Sequence, residues 1–222
     1  MEGDVFNIYE TIDMFKYLIY EWYQSNERKF PWRKTNNPYF ILVSEMMLQR
    51  TKAEQVEDVY KRFIEVYPDI YSLVKSKPQQ VDYIVKSLGL KDRYKVFINA
   101  ASFIIYNYNG KIPDTRDDLL CIPGVGEYVS GMVINCAFRK TEYVVDTNIA
   151  RIFNRILDLN LKGEIRRKKE IIEYSSVYFD TENSRQYAYA ILDFAAAICK
   201  SINPLCGICP VNKYGICRFA IS

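Results

Sequence analysis

The chain of 222 residues contains no histidine. That absence removes serine–histidine and cysteine–histidine nucleophilic pairs, imidazole general bases and every histidine metal ligand. Chemistry here must rest on carboxylates, hydroxyls, amines or thiols. No apolar run reaches the length of a membrane span, and the acidic start Met1-Glu2-Gly3-Asp4 lacks the basic and apolar regions of a signal peptide. We therefore expect a soluble, cytoplasmic protein, with no membrane partner, whose thiols stay reduced. Neither sign of charge dominates: 30 basic against 27 acidic side chains leave a net +3. A nucleic-acid surface would have to come from local clustering, not from bulk charge.

What is abundant is aromatic and helical. Nineteen tyrosines and twelve phenylalanines suit a core and its interfaces, with some able to stack on bases. Phe6–Tyr23 carries Ile8, Ile12, Phe15, Leu18, Ile19 and Trp22 at intervals of three and four and reads as an amphipathic helix. Residues 25–37 are polar, bear Pro31 and read as a loop whose Arg28, Lys29, Arg33 and Lys34 either meet phosphates or are simply solvated. Tyr39–Arg50 is apolar nearly all round, the mark of a central buried helix. Glu45 interrupts it. A carboxyl with Ile41, Leu42 and Leu48 as helical neighbours is costly to ionise, so we expect a functional group with a raised pKa, or else a carboxylate paired with a basic side chain or capping a loop. Breaks at Pro68, Pro78, Gly89 and Gly110 separate further short helices, one with Val96, Ile98, Ala101 and Ile105 as its apolar face. Strand alternation is nearly absent. The expected fold class is all-α.

The organising stretch is Leu120–Ile156. In Ile122-Pro123-Gly124-Val125-Gly126-Glu127-Tyr128, two glycines flank one valine just after proline. Such a sequence turns the chain sharply and leaves backbone N–H groups at the start of the next helix. Gly124, Val125 and Gly126 are thus candidates for gripping a phosphate. Thr115 or Asp114 can cap the helix before the turn; the helix after it, Glu127–Phe138, has its apolar stripe at Val129, Met132, Val133, Cys136 and Ala137. Tyr128 lies one residue off that stripe, positioned to face a cleft. Some twenty residues on, Val144-Val145-Asp146-Thr147-Asn148 opens another helix, with Ile149, Ile152, Phe153 and Ile156 at helical spacing. Asp146 is either a plain N-cap or a lone carboxylate beside a phosphate-binding hairpin, which suggests chemistry on nucleic acid. The basic run Arg166-Arg167-Lys168-Lys169 reads more readily as a solvated helix face than as a phosphate site.

The tail carries Cys199, Cys206, Cys209 and Cys217 in the pattern C-x6-C-x2-C-x7-C, with prolines and glycines between them. Four thiolates so close can close a tetrahedral zinc site or hold an iron–sulfur cluster. A zinc ribbon usually shows two C-x2-C pairs and only one is present, which tips the balance toward iron–sulfur. Cys121 and Cys136 have no such partners and read as small buried hydrophobes.

The hairpin segment and Asp146, with the terminal cysteines, resemble the helix-hairpin-helix DNA glycosylase superfamily related to endonuclease III. The match runs from Pro31-Trp32-Arg33 to Cys217, roughly four fifths of the chain. The resemblance implies two helical domains with a substrate cleft between them: a six-helix barrel at 27–139 bearing the hairpin, and a discontinuous domain at 1–26 plus 140–222 with a C-terminal cluster loop. It also implies a structural [4Fe–4S] cluster on the four cysteines, although the last spacing is two residues longer than the family's usual one. Lys200, Lys213 and Arg218 surround the cysteines, and the resemblance implies a basic loop here that touches the DNA backbone.

The resemblance extends to roles. Asp146 would stabilise the sugar cation that forms as an N-glycosidic bond breaks, or activate water, with Asn148 orienting it. Gln49 would fill the gap left by an extruded base, and Glu45 would contact or protonate that base. Bifunctional relatives carry a nucleophilic lysine where this chain has Tyr128, so a monofunctional enzyme is expected. Tyrosine at that position points to the archaeal-type glycosylases that remove T or U opposite G from double-stranded DNA, working here as a monomer associated with the nucleoid. The alternative within the family is adenine release opposite G or oxidised guanine. That branch shares Pro31-Trp32-Arg33 and Glu45, but has Gly-Tyr-Tyr where this chain has Gly89-Leu90-Lys91, and commonly an extra C-terminal domain. An alternative of another class is a non-catalytic DNA-binding iron–sulfur module.

Overall fold

Helical periodicity carries through the chain. The computed structural model describes residues 7–89 and 92–220, and among these every regular element is a helix. No helix among them is long and apolar enough to cross a membrane. Leu90 and Lys91, and with them most of the stretch compared with Gly-Tyr-Tyr, lie outside the described residues, as does Phe6. The chain divides into two units, Lys29–Phe138 and the pair Met1–Arg28 with Arg139–Ser222.

The Lys29–Phe138 unit is built on α2 (Pro38–Leu48), in which Tyr39 and every residue from Ile41 to Met47 are buried. Asn37 caps it and Pro38 starts it, a pairing suited to a helix N-terminus because proline has no N–H to leave unsatisfied. Helix α2 ends at Leu48, two residues earlier than expected, so Gln49 is its C-cap and Arg50 takes a left-handed φ of +57°. Packed around α2 are α3 (Ala53–Val66) and α8 (Glu127–Val133). The expected loop at 25–37 contains a 3-10 turn, Pro31–Lys34, held by Trp32, which stacks on Phe30 at 4.7 Å and meets Tyr60 edge-on. The short helices α4 (Ile70–Val74) and α5 (Pro78–Val85) pack on α6 (Arg93–Tyr108). The stripe on α6 is shifted from the expected one: Phe97, Ala100, Ala101 and Ile104 are buried, while Val96 is exposed. The reason is volume. Phe97 packs against Phe63 at 5.3 Å, and a ring buries more apolar area than a valine.

The other unit has α1 (Ile8–Asn26) against α10 (Lys169–Phe179) and α11 (Ser184–Ala197), with α9 (Thr147–Ile156) packed on both of those. Asn7 and Glu10 form a capping box at the start of α1. Phe15 is the hub, with ring centroids 6.4 Å from Phe153, 5.8 Å from Tyr178 and 5.9 Å from Phe194. Arg28 is an ion-pair partner and not an open phosphate ligand: its Nε donates to the fully buried Asp193 at 2.8 Å. The basic run does not form a helix face either. Arg166 and Arg167 lie in a 3-10 turn, and α10 starts only at Lys169.

Candidate active site

The hairpin is assembled by local rules. Thr115 caps α7 (Arg116–Leu120) by accepting from the Asp118 N–H. Then Ile122-Pro123-Gly124-Val125 makes a tight turn closed by the Val125 N–H donating to the Ile122 carbonyl at 3.0 Å. Proline second and a left-handed residue third is what a type II turn requires. Gly124 supplies that third position at φ +85°, and a Cβ there would lie 2.1 Å from Val96 Cγ1. The Val125 amide is therefore spent inside the turn, and its side chain is 8% exposed. Gly126 begins α8 as an N-cap and has no side chain to cap it with. Arg116 ties the two helices together, donating from Nη1 to the Glu127 carboxylate at 2.6 Å, the Glu127 carbonyl and the Ser130 hydroxyl. Beyond Val133 the helix loosens into a π turn, Ile134–Phe138. Tyr128, in the first turn of α8, is half-buried.

Two further residues named from the sequence sit in this unit. Glu45, in the middle of α2, is 1% exposed. Gln49 reaches the hairpin itself: its Nε2 donates to the Gly124 carbonyl at 2.8 Å.

Asp146 and Asn148 belong to the other unit. Asp146 is the N-cap of α9, its Oδ1 accepting from the Asn148 and Ile149 N–H groups at 2.8 Å each. Its other oxygen, Oδ2, accepts from Asn148 Nδ2 at 2.7 Å. Asn148 in turn accepts from Arg151 Nη1 at 2.8 Å, and Arg151 donates through Nη2 to the Cys199 carbonyl at 2.8 Å. The segment leading into Asp146 is clamped by Ser175, whose hydroxyl accepts from the Val144 N–H at 3.2 Å and donates to the Val144 carbonyl at 2.7 Å. A half-buried carboxylate is thus held in one orientation from both sides.

Cys199, Cys206, Cys209 and Cys217 are not joined in disulfides and line one cavity, together with Arg155, Phe194 and Val211. No group of three or more cysteine, histidine or carboxylate side chains is gathered into a metal-ion site among the described residues. The donor set is nevertheless all-sulfur, which suits soft iron or zinc centres. Burial pushes the Cys209 thiol up, partly offset by the backbone N–H groups of Asn212 and Val211. Arg155 donates to Cys199 Sγ at 3.6 Å and to the Lys200 and Ser201 carbonyls, bracing the first turn of the tail.

Comparison with known proteins completes the assignment. Residues 43–175, which span the hairpin and Asp146, match the HhH-GPD superfamily model for base excision DNA repair proteins. The chain belongs to the HhH-GPD superfamily. It is 31% identical over 212 residues to a thymine/uracil-DNA glycosylase of Pyrobaculum aerophilum, covering 92% of this chain and 91% of the relative. An adenine DNA glycosylase of Buchnera aphidicola subsp. Acyrthosiphon pisum is 30% identical over 202 residues, 90% of this chain and 58% of the relative. A solved thermostable thymine-DNA glycosylase superposes with a TM-score of 0.87 at 28% identity, over 96% of this chain and 97% of that one.

Within this HhH-GPD chain, three residues with site contacts escaped the sequence reading. Arg93 is 5% exposed at the start of α6, Arg151 links Asn148 to the cysteine tail, and Ser175 clamps Val144. Arg93 had a signal: it falls four residues before Phe97, in register with the buried stripe. Asn148 lies within helical reach of Arg151, but Cys199, its other partner, and Val144, the partner of Ser175, are too distant in sequence for any local pattern to show.

Proposed function

We propose that this HhH-GPD protein is a monofunctional DNA glycosylase that hydrolyses the N-glycosidic bond of thymine or uracil mispaired with guanine, acting as a monomer on double-stranded DNA. The observation that carries this reading is the Asp146 carboxylate, held by three hydrogen bonds at the N-terminus of α9. As the bond from C1′ to the base breaks, its electron pair leaves with the base and the sugar becomes cationic. Asp146 stabilises that charge, an oriented anion acting where charge develops. Water then bonds to C1′ and loses one proton; the departing base gains one. Glu45 contacts the edge of the extruded base, and Gln49 fills its place in the stack. Amides around Gly124 and Gly126 hold the strand by a phosphate.

Tyr128 supports the absence of strand-nicking activity, since a phenol cannot form the Schiff base that an amine makes with the opened sugar. A [4Fe–4S] cluster on Cys199, Cys206, Cys209 and Cys217 would cross-link the tail and fix Lys200, Lys213 and Arg218 for a DNA backbone. It has no part in breaking the bond.

The named relatives include both thymine/uracil and adenine glycosylases, so release of adenine is the second reading. A single-turnover panel of T·G, U·G, A·G and A opposite oxidised guanine separates them. We expect T and U released from their G pairs. Release of adenine with T·G and U·G intact would replace the first reading by the second, and no release from any duplex would leave only a DNA-binding role.

A further inference from the structure

Arg93 is a buried cation at the base of the turn that carries Gln49. Its Nη2 donates to the Gln49 carbonyl at 2.6 Å, and its Nη1 to the Met47 carbonyl at 3.0 Å and the Thr51 hydroxyl at 3.1 Å. The two carbonyls are groups that the end of α2 leaves without helical partners, and a cation at a helix C-terminus is favoured by the helix dipole. The Thr51 hydroxyl is itself tied to the Leu88 carbonyl at 3.1 Å. One planar guanidinium thus fastens three alternate residues, Met47, Gln49 and Thr51, on either side of Arg50, which stands exposed in the left-handed conformation at φ +57°. Burial lowers the pKa of Arg93, yet a guanidinium is basic enough to keep its charge at neutral pH.

The side chain of Gln49 is held quite differently. Among the described residues a single hydrogen bond, from Nε2 to the Gly124 carbonyl, stows it against the hairpin. Its backbone is fixed by a buried fork, while its side chain is fixed by one exposed contact that water can replace at little cost.

We propose that Arg93 is a positioning residue for base extrusion: it makes the Gln49 turn a rigid pivot from which only the Gln49 side chain swings, leaving Gly124 to enter the duplex. This rests on the glycosylase reading above. Rigid backing matters because an inserted side chain displaced by about 1 Å can cost on the order of 100-fold in rate. Lysine at this position keeps the charge but is a point donor on a flexible stem, without the planar fork that spans these acceptors.

The test uses the full-length protein with Arg93→Lys, Gln49→Ala and the double variant, on a T·G duplex with 2-aminopurine beside the mismatch. Fluorescence reports unstacking, and single-turnover base release at saturating enzyme reports the chemistry. We expect Arg93→Lys to bind the duplex within about threefold of wild type but to lose about tenfold or more in release rate and most of the fluorescence rise. In the Gln49→Ala background the same substitution should change the rate by less than about twofold, because the pivot then carries nothing. Multiplicative losses in the double variant would overturn the proposal, as would an unchanged fluorescence rise in Arg93→Lys. Should Arg93→Lys fail to fold, Thr51→Val removes one of the three anchor points and is read by the same cycle. If the wild-type protein releases no base from any mismatch, the glycosylase reading falls, while the Arg93-dependent fluorescence still decides this one.

Discussion

Asp146 has one duty in the structure and a second in the proposed reaction, and one substitution separates them. As N-cap of α9 it accepts two backbone N–H groups through Oδ1; in the proposed reaction its carboxylate would offer charge. Serine is as good an N-cap as aspartate, whereas alanine forfeits about 1 kcal/mol. Asp146→Ser should therefore melt within a degree or so of wild type, while Asp146→Ala should melt about 2–4 °C lower, the shift that about 1 kcal/mol produces in a domain of this size. Both lose the charge. Removing one preorganised group that stabilises transition-state charge costs about 3 kcal/mol or more, or at least about 100-fold in rate. Serine also abandons the Oδ2 contact that holds Asn148. The assay is single-turnover release from T·G and U·G duplexes beside a thermal melt of each protein. A stable Asp146→Ser protein that releases base within about threefold of wild type would refute the reasoning, since the side chain would then be a cap and nothing more.

Borohydride reduction during turnover should leave no covalent protein–DNA adduct, and an efficient adduct would overturn the argument from Tyr128. Protein purified without oxygen should carry iron and sulfide near four each per chain with thiolate-to-iron absorption, and Cys209→Ser should abolish both; an iron-free, fully active protein would remove the cluster. Gly124→Ala should lower the melting temperature by on the order of 5–15 °C, because it combines a left-handed backbone with overlap onto Val96. Adding Val96→Ala should recover only the part due to overlap, and full recovery would contradict the backbone argument. Burial holds the phenols of Tyr39, Tyr60 and Tyr178 above their ordinary value of 10, that of Tyr60 at about 12. A raised folded-state pKa contributes stability that is present below the unfolded value and lost above it. The guanidinium midpoint should therefore fall as pH climbs from about 10 through about 12, with the rise at Tyr60 worth on the order of 2–3 kcal/mol; a flat profile would count against it.

Much of the helical content could be read directly. In α9 the spacing of Ile149, Ile152, Phe153 and Ile156 marks a stripe whose members are all at most 2% exposed. Proline, glycine and threonine around the hairpin likewise announce a cap, a turn and a restart, each a local preference of the backbone. The misses share a different cause. Arg28 looked available until Asp193, 165 residues away, took it. The stripe on α6 was placed one residue off because Val96 and Phe97 are equally apolar on paper, and only the ring of Phe63 distinguishes them.

By itself the sequence determined that the regular elements are helical, where the hairpin turns, which face of α9 is inward, and that a carboxylate, a glycine hairpin and four thiols are the available chemistry. These depend on residues a few positions apart, whose geometry the backbone dictates. Only the tertiary structure decided that Gln49 rests on Gly124, that Arg93 fastens the Gln49 turn, and that Ser175 clamps the approach to Asp146. Those contacts join residues tens of positions apart, and the ones at Arg93 and Ser175 exist because a folded core brings polar groups out of water and obliges each to find a partner.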